Sequence, residues 1–124
     1  MSRPPPRRAR RPGGPAPATA ELRQAAPVFA ALGDPIRLRI VSRLSAAGPT
    51  SISQLTFGMG VTRQAITKHL LVLSGAGLVH GVRQGRESFW AIERERLDEA
   101  RRSLERISAE WDETLARLKA FVEE

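Results

Sequence analysis

The chain has 124 residues, enough for one domain with a modest core and a tail. It contains no cysteine, and its two histidines, His69 and His80, stand without a carboxylate cluster, so the sequence excludes disulfides and predicts no metal and no cofactor. No run approaches the roughly 18 apolar residues of a membrane span and no secretory signal is present, so we expect a cytoplasmic protein with no membrane partner.

The net charge of +7 is distributed unevenly along the chain. Residues 1–17 carry five arginines and no acid, residues 18–92 carry eight basic and three acidic groups, and residues 93–124 carry seven basic and ten acidic groups. No acid occurs in the 52 residues between Asp34 and Glu87. A basic folded segment is typical of proteins that bind nucleic acid, whereas the acidic segment must have another role.

The first 18 residues are rich in Pro and Arg and almost free of apolar side chains. Such a segment buries too little surface to offset the entropy of ordering, so we expect a disordered basic tail. Most charge runs are solvated ends, so a solvated tail is the favoured interpretation, and contacts of its arginines with phosphates are the alternative.

A helical pattern begins at Thr19, with apolar residues at Leu22, Ala25, Phe29 and Leu32. Pro27 is expected to kink or restart this first helix because it lacks a backbone donor. A second helix follows, with Asp34 as N-cap and Pro35 at its first position. Gly48 is expected to end that helix.

The next segment predicts a helix-turn-helix. A short third helix begins at Thr50 or Ser51, and a fourth is capped by Thr62 and ends at Gly75 or Gly77. Two short helices joined by a turn that contains glycine form this motif, whose second helix enters the major groove of DNA.

The outward face of the fourth helix carries side chains suited to reading bases. Arg63 can bind guanine through two hydrogen bonds, Gln64 can do the same to adenine, and Thr67 offers a hydroxyl and a methyl group. Lys68 suits a phosphate. A merely solvated helix face would also be polar, but the absence of acids disfavours that alternative. The residues predicted to contact DNA on these two helices are Ser51, Thr62, Arg63, Gln64, Thr67 and Lys68.

Residues 79–92 change to the alternation of strands and predict a hairpin, or wing, with Gly85 in its turn. Arg83 and Arg86 flank this turn, where a wing meets the DNA backbone or minor groove; an exposed, solvated turn is the alternative. On the fourth helix, beside Leu70, we expect His69 to support the structure or to face a DNA phosphate.

A last helix extends from about Arg94 to Val122, with apolar residues at alternating spacings of three and four. This pattern indicates a helix that packs against another helix along its length, here in a homodimer; folding back on its own core is the alternative. Residues 19–92 thus form the DNA-binding part and residues 93–124 the dimerisation helix of one domain. The predicted interface residues are Leu22, Leu97, Leu104, Ile107, Trp111 and Leu118.

The sequence does not predict an enzyme. It lacks Cys, Tyr and a glycine-rich phosphate loop, and its carboxylates cluster on the last helix among basic neighbours. Such carboxylates form surface pairs three or four residues apart.

The combination of motifs resembles the ArsR family of bacterial winged-helix repressors over about residues 27–122. "FAALGDPIRLRIVSRL" resembles the opening signature of that family, "VTRQAITKHLLVLSGAGLV" its recognition helix, and "VRQGRESFWAI" its wing. The resemblance implies a homodimer, formed by the first and last helices, that binds an inverted-repeat operator and represses transcription. Metal sensors of the family carry Cys on the third helix, where this chain has "SISQLTFGM", or Asp and His on the last helix, which has no His here.

We therefore predict a mainly α fold, a winged helix-turn-helix with a two-stranded β-wing and a long C-terminal dimerisation helix. Its predicted partner is double-stranded DNA with a pseudo-palindromic operator, bound by a homodimer. Two alternatives are a winged-helix module that binds proteins and a general DNA-associated protein. A small organic effector held near Trp111 at the dimer interface is a third hypothesis.

Overall fold

The computed structural model describes residues 17–123, which form five helices and three short strands. In chain order these are α1 Pro17–Leu32, α2 Pro35–Ala47, β1 Thr50–Ser51, α3 Ile52–Thr56, α4 Arg63–Gly75, β2 Val79–Gln84, β3 Glu87–Ile92 and α5 Arg94–Glu123. The predicted disorder of the tail concerns residues outside this range, apart from Pro17 and Ala18, which already belong to α1. No helix within the described range is long and apolar enough to cross a bilayer.

The first helix continues through Pro27 without interruption, so the expectation that a new helix starts there is wrong. Pro27 is exposed, and the missing donor costs α1 one intrahelical hydrogen bond. The buried side chains of Ala25, Val28 and Ala31 lie on either side of it along the core face. Their packing spans the proline and holds both halves as one helix.

The predicted ends of α2 are confirmed. The Asp34 carboxylate accepts hydrogen bonds from the backbone N–H groups of Ile36 and Arg37, at 2.9 and 3.1 Å. Pro35 occupies the first turn, where no backbone donor is needed. Gly48, at φ 79°, ends the helix and donates its N–H to the carbonyl of Leu44.

The two helices of the helix-turn-helix also have the predicted caps. Ser51 and Gln54 form a capping box at α3, in which each side chain accepts from the backbone of the other. Thr62 accepts from the N–H of Ala65 at 3.0 Å and so caps α4. These caps fix where α4 presents its first side chains.

The wing is confirmed, with one addition. Strands β2 and β3 pair from Val79 opposite Ile92 to Gln84 opposite Glu87, and Gly85 has φ 62° in the turn. The two-residue strand β1 also pairs with β3, so the antiparallel sheet has three strands in the order β1-β3-β2. Two residues are too few to show an alternation in the sequence.

The core lies where α1, α2, α3, α4 and the base of the sheet meet. Its largest fully buried side chains are Val28, Ile40, Leu44, Leu55, Ile66, Leu70, Leu73 and Leu78. Three of them, Ile66, Leu70 and Leu73, are the predicted inward residues of α4. The opposite side of α4 is thereby turned outward.

Helix α5 packs on α1 only along its first half. Ala100 and Ser103 are buried, and Arg106 forms an ion pair with Glu21 of α1 at 2.8 Å. Leu97 also packs against the core of its own chain. Beyond this region α5 leaves an exposed apolar strip, which comprises Leu104, Ile107, Trp111, Leu115, Leu118, Phe121 and Val122, each exposed by 42–76%.

Candidate nucleic-acid interface

The outward face of α4 begins directly after its cap. Arg63 and Gln64 are the first two residues of the helix and are exposed, and Lys68 is exposed one turn further on. Thr67 lies between them and is half-buried. The first turn contains no acid, so the partial positive charge of the helix N-terminus adds to the charge of Arg63.

Arg63 is hydrogen-bonded to the preceding helix. Its Nη1 donates to the Oγ of Ser53 on α3 at 2.9 Å. A guanidinium has five N–H donors, so most of them stay available for another partner. Sequence reasoning missed Ser53 because the two residues are ten positions apart and neither forms a local motif with the other.

The Thr67 hydroxyl makes a hydrogen bond within α4. The hydroxyl donates to the backbone carbonyl of Arg63 at 3.0 Å, which engages its hydrogen. Back-bonding of this kind is common for threonine inside helices. The methyl group and the free lone pairs of Thr67 remain for a ligand.

The hydroxyls of Ser51 and Thr62 act as helix caps. The Ser51 hydroxyl accepts from the N–H of Gln54 at 3.2 Å and lies 3.3 Å from its Oε1, and the Thr62 hydroxyl accepts from Ala65. Any contact of these two residues with DNA therefore adds to a capping role. Both caps lie at helix N-termini, where backbone N–H groups favour anions such as phosphate.

At the wing tip, Arg83 and Arg86 are both exposed. Arg83 Nε donates to the carbonyl of Gly85 at 3.4 Å, which draws this side chain along the turn. The positive φ of Gly85 lets the two strands close with two residues between them. Both guanidinium groups are thus carried at the far end of the hairpin.

Two arginines of α2 bind the turn between α3 and α4, which sequence reasoning also missed. Arg43 Nη1 donates to the carbonyls of Leu55 and Phe57, at 2.9 and 2.6 Å. Arg39 Nη2 donates to the carbonyl of Gly58 at 3.2 Å. These carbonyls belong to the end of α3 and to the turn, where no intrahelical partner exists. The spacing of four residues between the arginines was a usable signal, since it puts both on one face of α2.

His69 lies between helices, on the side of α4 that faces α2. Its Nδ1 is 3.4 Å from Arg37 Nη1 and 3.9 Å from the Asp34 carboxylate. Arg37 Nε also donates to the carbonyl of Ala31 at 2.6 Å.

The pKa of Asp34 is lowered, mainly because its carboxylate accepts a hydrogen bond from the backbone N–H of Arg37. The Ile36 N–H and the nearby His69 and Arg37 charges lower this pKa further, whereas partial desolvation raises it.

The residues predicted for a dimer interface fall into two groups. Leu22 on α1 is exposed by 42%, and Leu104, Ile107, Trp111 and Leu118 belong to the exposed strip of α5. Leu97 differs, because it is half-buried against its own core.

In the part of the chain that the structure describes, no group of three His, Cys, Asp or Glu side chains is arranged to hold a metal ion.

Comparisons with known proteins agree with this geometry. The helix-turn-helix domain family matches residues 32–82. The chain is 42% identical to the HTH-type transcriptional regulator YuzN of Bacillus subtilis, over 48% of this chain and 71% of that protein.

The solved structures that are similar in fold include two informative ones. An ArsR-like transcriptional regulator from Rhodococcus sp. RHA1 is 42% identical, with a TM-score of 0.68 over 82% of this chain and 95% of that one. The homodimeric winged helix-turn-helix DNA-binding domain of Mb0332 from Mycobacterium bovis is 27% identical, with a TM-score of 0.59 over 86% of this chain and 95% of that one. With its helix-turn-helix, its wing and its long last helix, the chain belongs to the ArsR family of winged helix-turn-helix transcriptional regulators.

Proposed function

We propose that the protein is a dimeric repressor that binds an inverted-repeat operator in a sequence-specific manner. The observation that carries this proposal is the outward face of α4, where Arg63 and Gln64 follow the cap immediately while Ile66 and Leu70 anchor the helix in the core. Base edges are contacted from this position in helix-turn-helix docking.

Four side chains of α4 contact different parts of the DNA. Arg63 binds guanine O6 and N7, and Gln64 binds adenine N6 and N7. Lys68, farther along the helix and exposed, binds a phosphate. Thr67 contacts a thymine methyl group.

Further contacts come from outside the outward face of α4. Ser51 and Thr62 add phosphate contacts at the helix N-termini. Arg83 and Arg86 extend the surface from the wing to the adjacent backbone or minor groove.

The dimer forms through α1 and α5. The exposed strip of α5 and Leu22 supply apolar surface that the described part of the chain leaves uncovered. The homodimeric Mb0332 domain supports this assembly, since it shares the fold. Two-fold symmetry then puts the two α4 helices about 34 Å apart, in successive major grooves. A small organic effector near Trp111 stays a hypothesis.

Binding measured by fluorescence anisotropy tests the proposal. The purified protein is titrated against DNA from upstream of its own gene and against random duplex, at two salt concentrations. We expect the specific complex to be at least about a thousandfold tighter than the random one. Equal and strongly salt-dependent binding to both would support a general DNA-associated protein instead. Absence of binding to either duplex would favour the protein-interaction module.

A further inference from the structure

The Ser53 side chain on α3 forms a hydrogen bond with Arg63, the first residue of α4. Its Oγ accepts a hydrogen bond from Arg63 Nη1 at 2.9 Å, and both side chains are exposed. An exposed arginine otherwise samples many rotamers, and ordering it on DNA costs conformational entropy. A hydrogen bond made before binding removes part of this cost.

The bond to Ser53 is compatible with base recognition by Arg63. A two-point contact with guanine O6 and N7 needs two parallel N–H groups, and the Nε–Nη2 edge of the guanidinium provides them. The bond to Ser53 uses Nη1, at the other side of the group. Ser53 therefore orients Arg63 without competing for the atoms that would bind guanine.

The helix that carries Ser53 is itself held in place. Leu55 is fully buried in the core, and Ser51 with Gln54 closes the start of α3 in the capping box. At the other end, Arg43 from α2 donates to the carbonyls of Leu55 and Phe57. A five-residue helix fixed at both ends offers a rigid support, which a positioning contact requires.

We propose that Ser53 is a specificity-determining residue that positions Arg63 for its guanine. This inference rests on the proposed function, because it takes Arg63 to read a base. Loss of the Ser53 hydroxyl then leaves the charge of Arg63 in place but lets its guanidinium move. Discrimination at the base pair read by Arg63 falls, while binding to the rest of the operator stays.

The test measures anisotropy on a set of operators that each carry one base-pair substitution. Arg63→Ala identifies the base pair of each half-site at which discrimination disappears. Ser53→Ala should reduce discrimination about three- to tenfold at that base pair and at no other, in line with one hydrogen bond. Ser53→Thr keeps the hydroxyl and should retain discrimination. Ser42→Ala, at an exposed serine of α2, is the matched control and should match the unaltered protein.

The double variant Ser53→Ala with Arg63→Ala should behave like Arg63→Ala alone, because Ser53 acts through Arg63. An equal loss on every operator after Ser53→Ala, or additive losses in the double variant, would overturn the inference while the reading role of Arg63 stands. A uniform loss after Arg63→Ala itself would mean that Arg63 reads no base, and both the role assigned to Arg63 and the inference would be wrong.

Discussion

At the scale of single residues, Arg63 and Lys68 differ in what they are expected to recognise. Arg63→Ala should cost about 1 to 3 kcal/mol at the operator and relax specificity at one base pair, since it removes a two-point base contact. Lys68→Ala should weaken all sequences alike and reduce the slope of log K against log salt by about one, since it removes a phosphate contact. Titrations at several salt concentrations measure both effects. Equal losses on specific and random DNA for both variants would contradict these roles.

Asp34 is expected to make the unfolding free energy depend on pH in the acidic range. Its pKa is lowered in the folded chain, chiefly by the hydrogen bond from the Arg37 N–H, so its carboxylate stabilises the fold above the unfolded pKa of about 3.8. This contribution is lost as the pH falls below that value through the folded pKa. Asp34→Asn keeps a capping oxygen without the charge and should lose less stability on acidification.

Urea unfolding of both proteins from pH 7 to pH 2.5 measures this difference. The difference in unfolding free energy between the unaltered protein and Asp34→Asn should become smaller as the pH falls, because protonated Asp34 is uncharged, as Asn is. A gap that stays constant over this range would show that the Asp34 charge contributes nothing.

At the scale of elements, the turn of the helix-turn-helix depends on α2. Arg43 is half-buried and donates to two carbonyls at the end of α3, where the helix offers them no N–H partner. Arg43→Met keeps the length and apolar stem of the side chain but leaves these carbonyls without their donor. We expect a loss of about 1 to 3 kcal/mol in unfolding free energy, measured by urea denaturation. Arg86→Met, at the exposed wing tip, is the control and should change stability by less than about 0.5 kcal/mol.

Local signals in the sequence predicted the positions of most helices and strands, but they predicted fewer of the contacts between these elements. Asp34, Ser51 and Thr62 begin helices because their side chains accept from nearby backbone N–H groups, which is a local effect. Gly85 closes the wing for an equally local reason. By contrast, the uninterrupted helix through Pro27 depends on packing across the core, and no periodicity in the sequence shows that packing.

The candidate site was predictable to a similar degree. The exposure of Gln64 follows from the positions of Ile66 and Leu70 on the opposite face of α4, whereas Arg63, three residues before Ile66, is exposed as the first residue of the helix. The bond from Arg63 to Ser53 and the bonds from Arg39 and Arg43 to the turn join residues 10 to 20 positions apart. Such contacts depend on how helices cross, which the spacing of apolar residues does not fix.

At the scale of the whole molecule, the exposed strip of α5 determines the expected assembly. Trp111 is 60% exposed and lies in the middle of this strip, between Ile107 and Leu118. Large aromatic side chains at the centre of an interface contribute strongly to association. Trp111→Asp would bury a charge in that interface, and an unpaired buried charge is costly. We therefore expect a monomer at micromolar concentration where the unaltered protein is a dimer, as measured by light scattering.

The loss of the dimer should also be visible in DNA binding. A monomer of Trp111→Asp occupies one half-site, so its operator affinity should fall at least about a hundredfold, because the second half-site no longer binds at a high effective concentration. Ala109→Asp adds the same charge on the exposed opposite side of α5 and should leave the dimer mass measured by light scattering and the operator affinity unchanged. Thermal unfolding shows whether each variant is folded, since the core is formed within one chain. If Trp111→Asp stays dimeric and binds the operator normally, the strip does not form the interface; if the unaltered protein is itself a monomer, the proposed dimer is wrong.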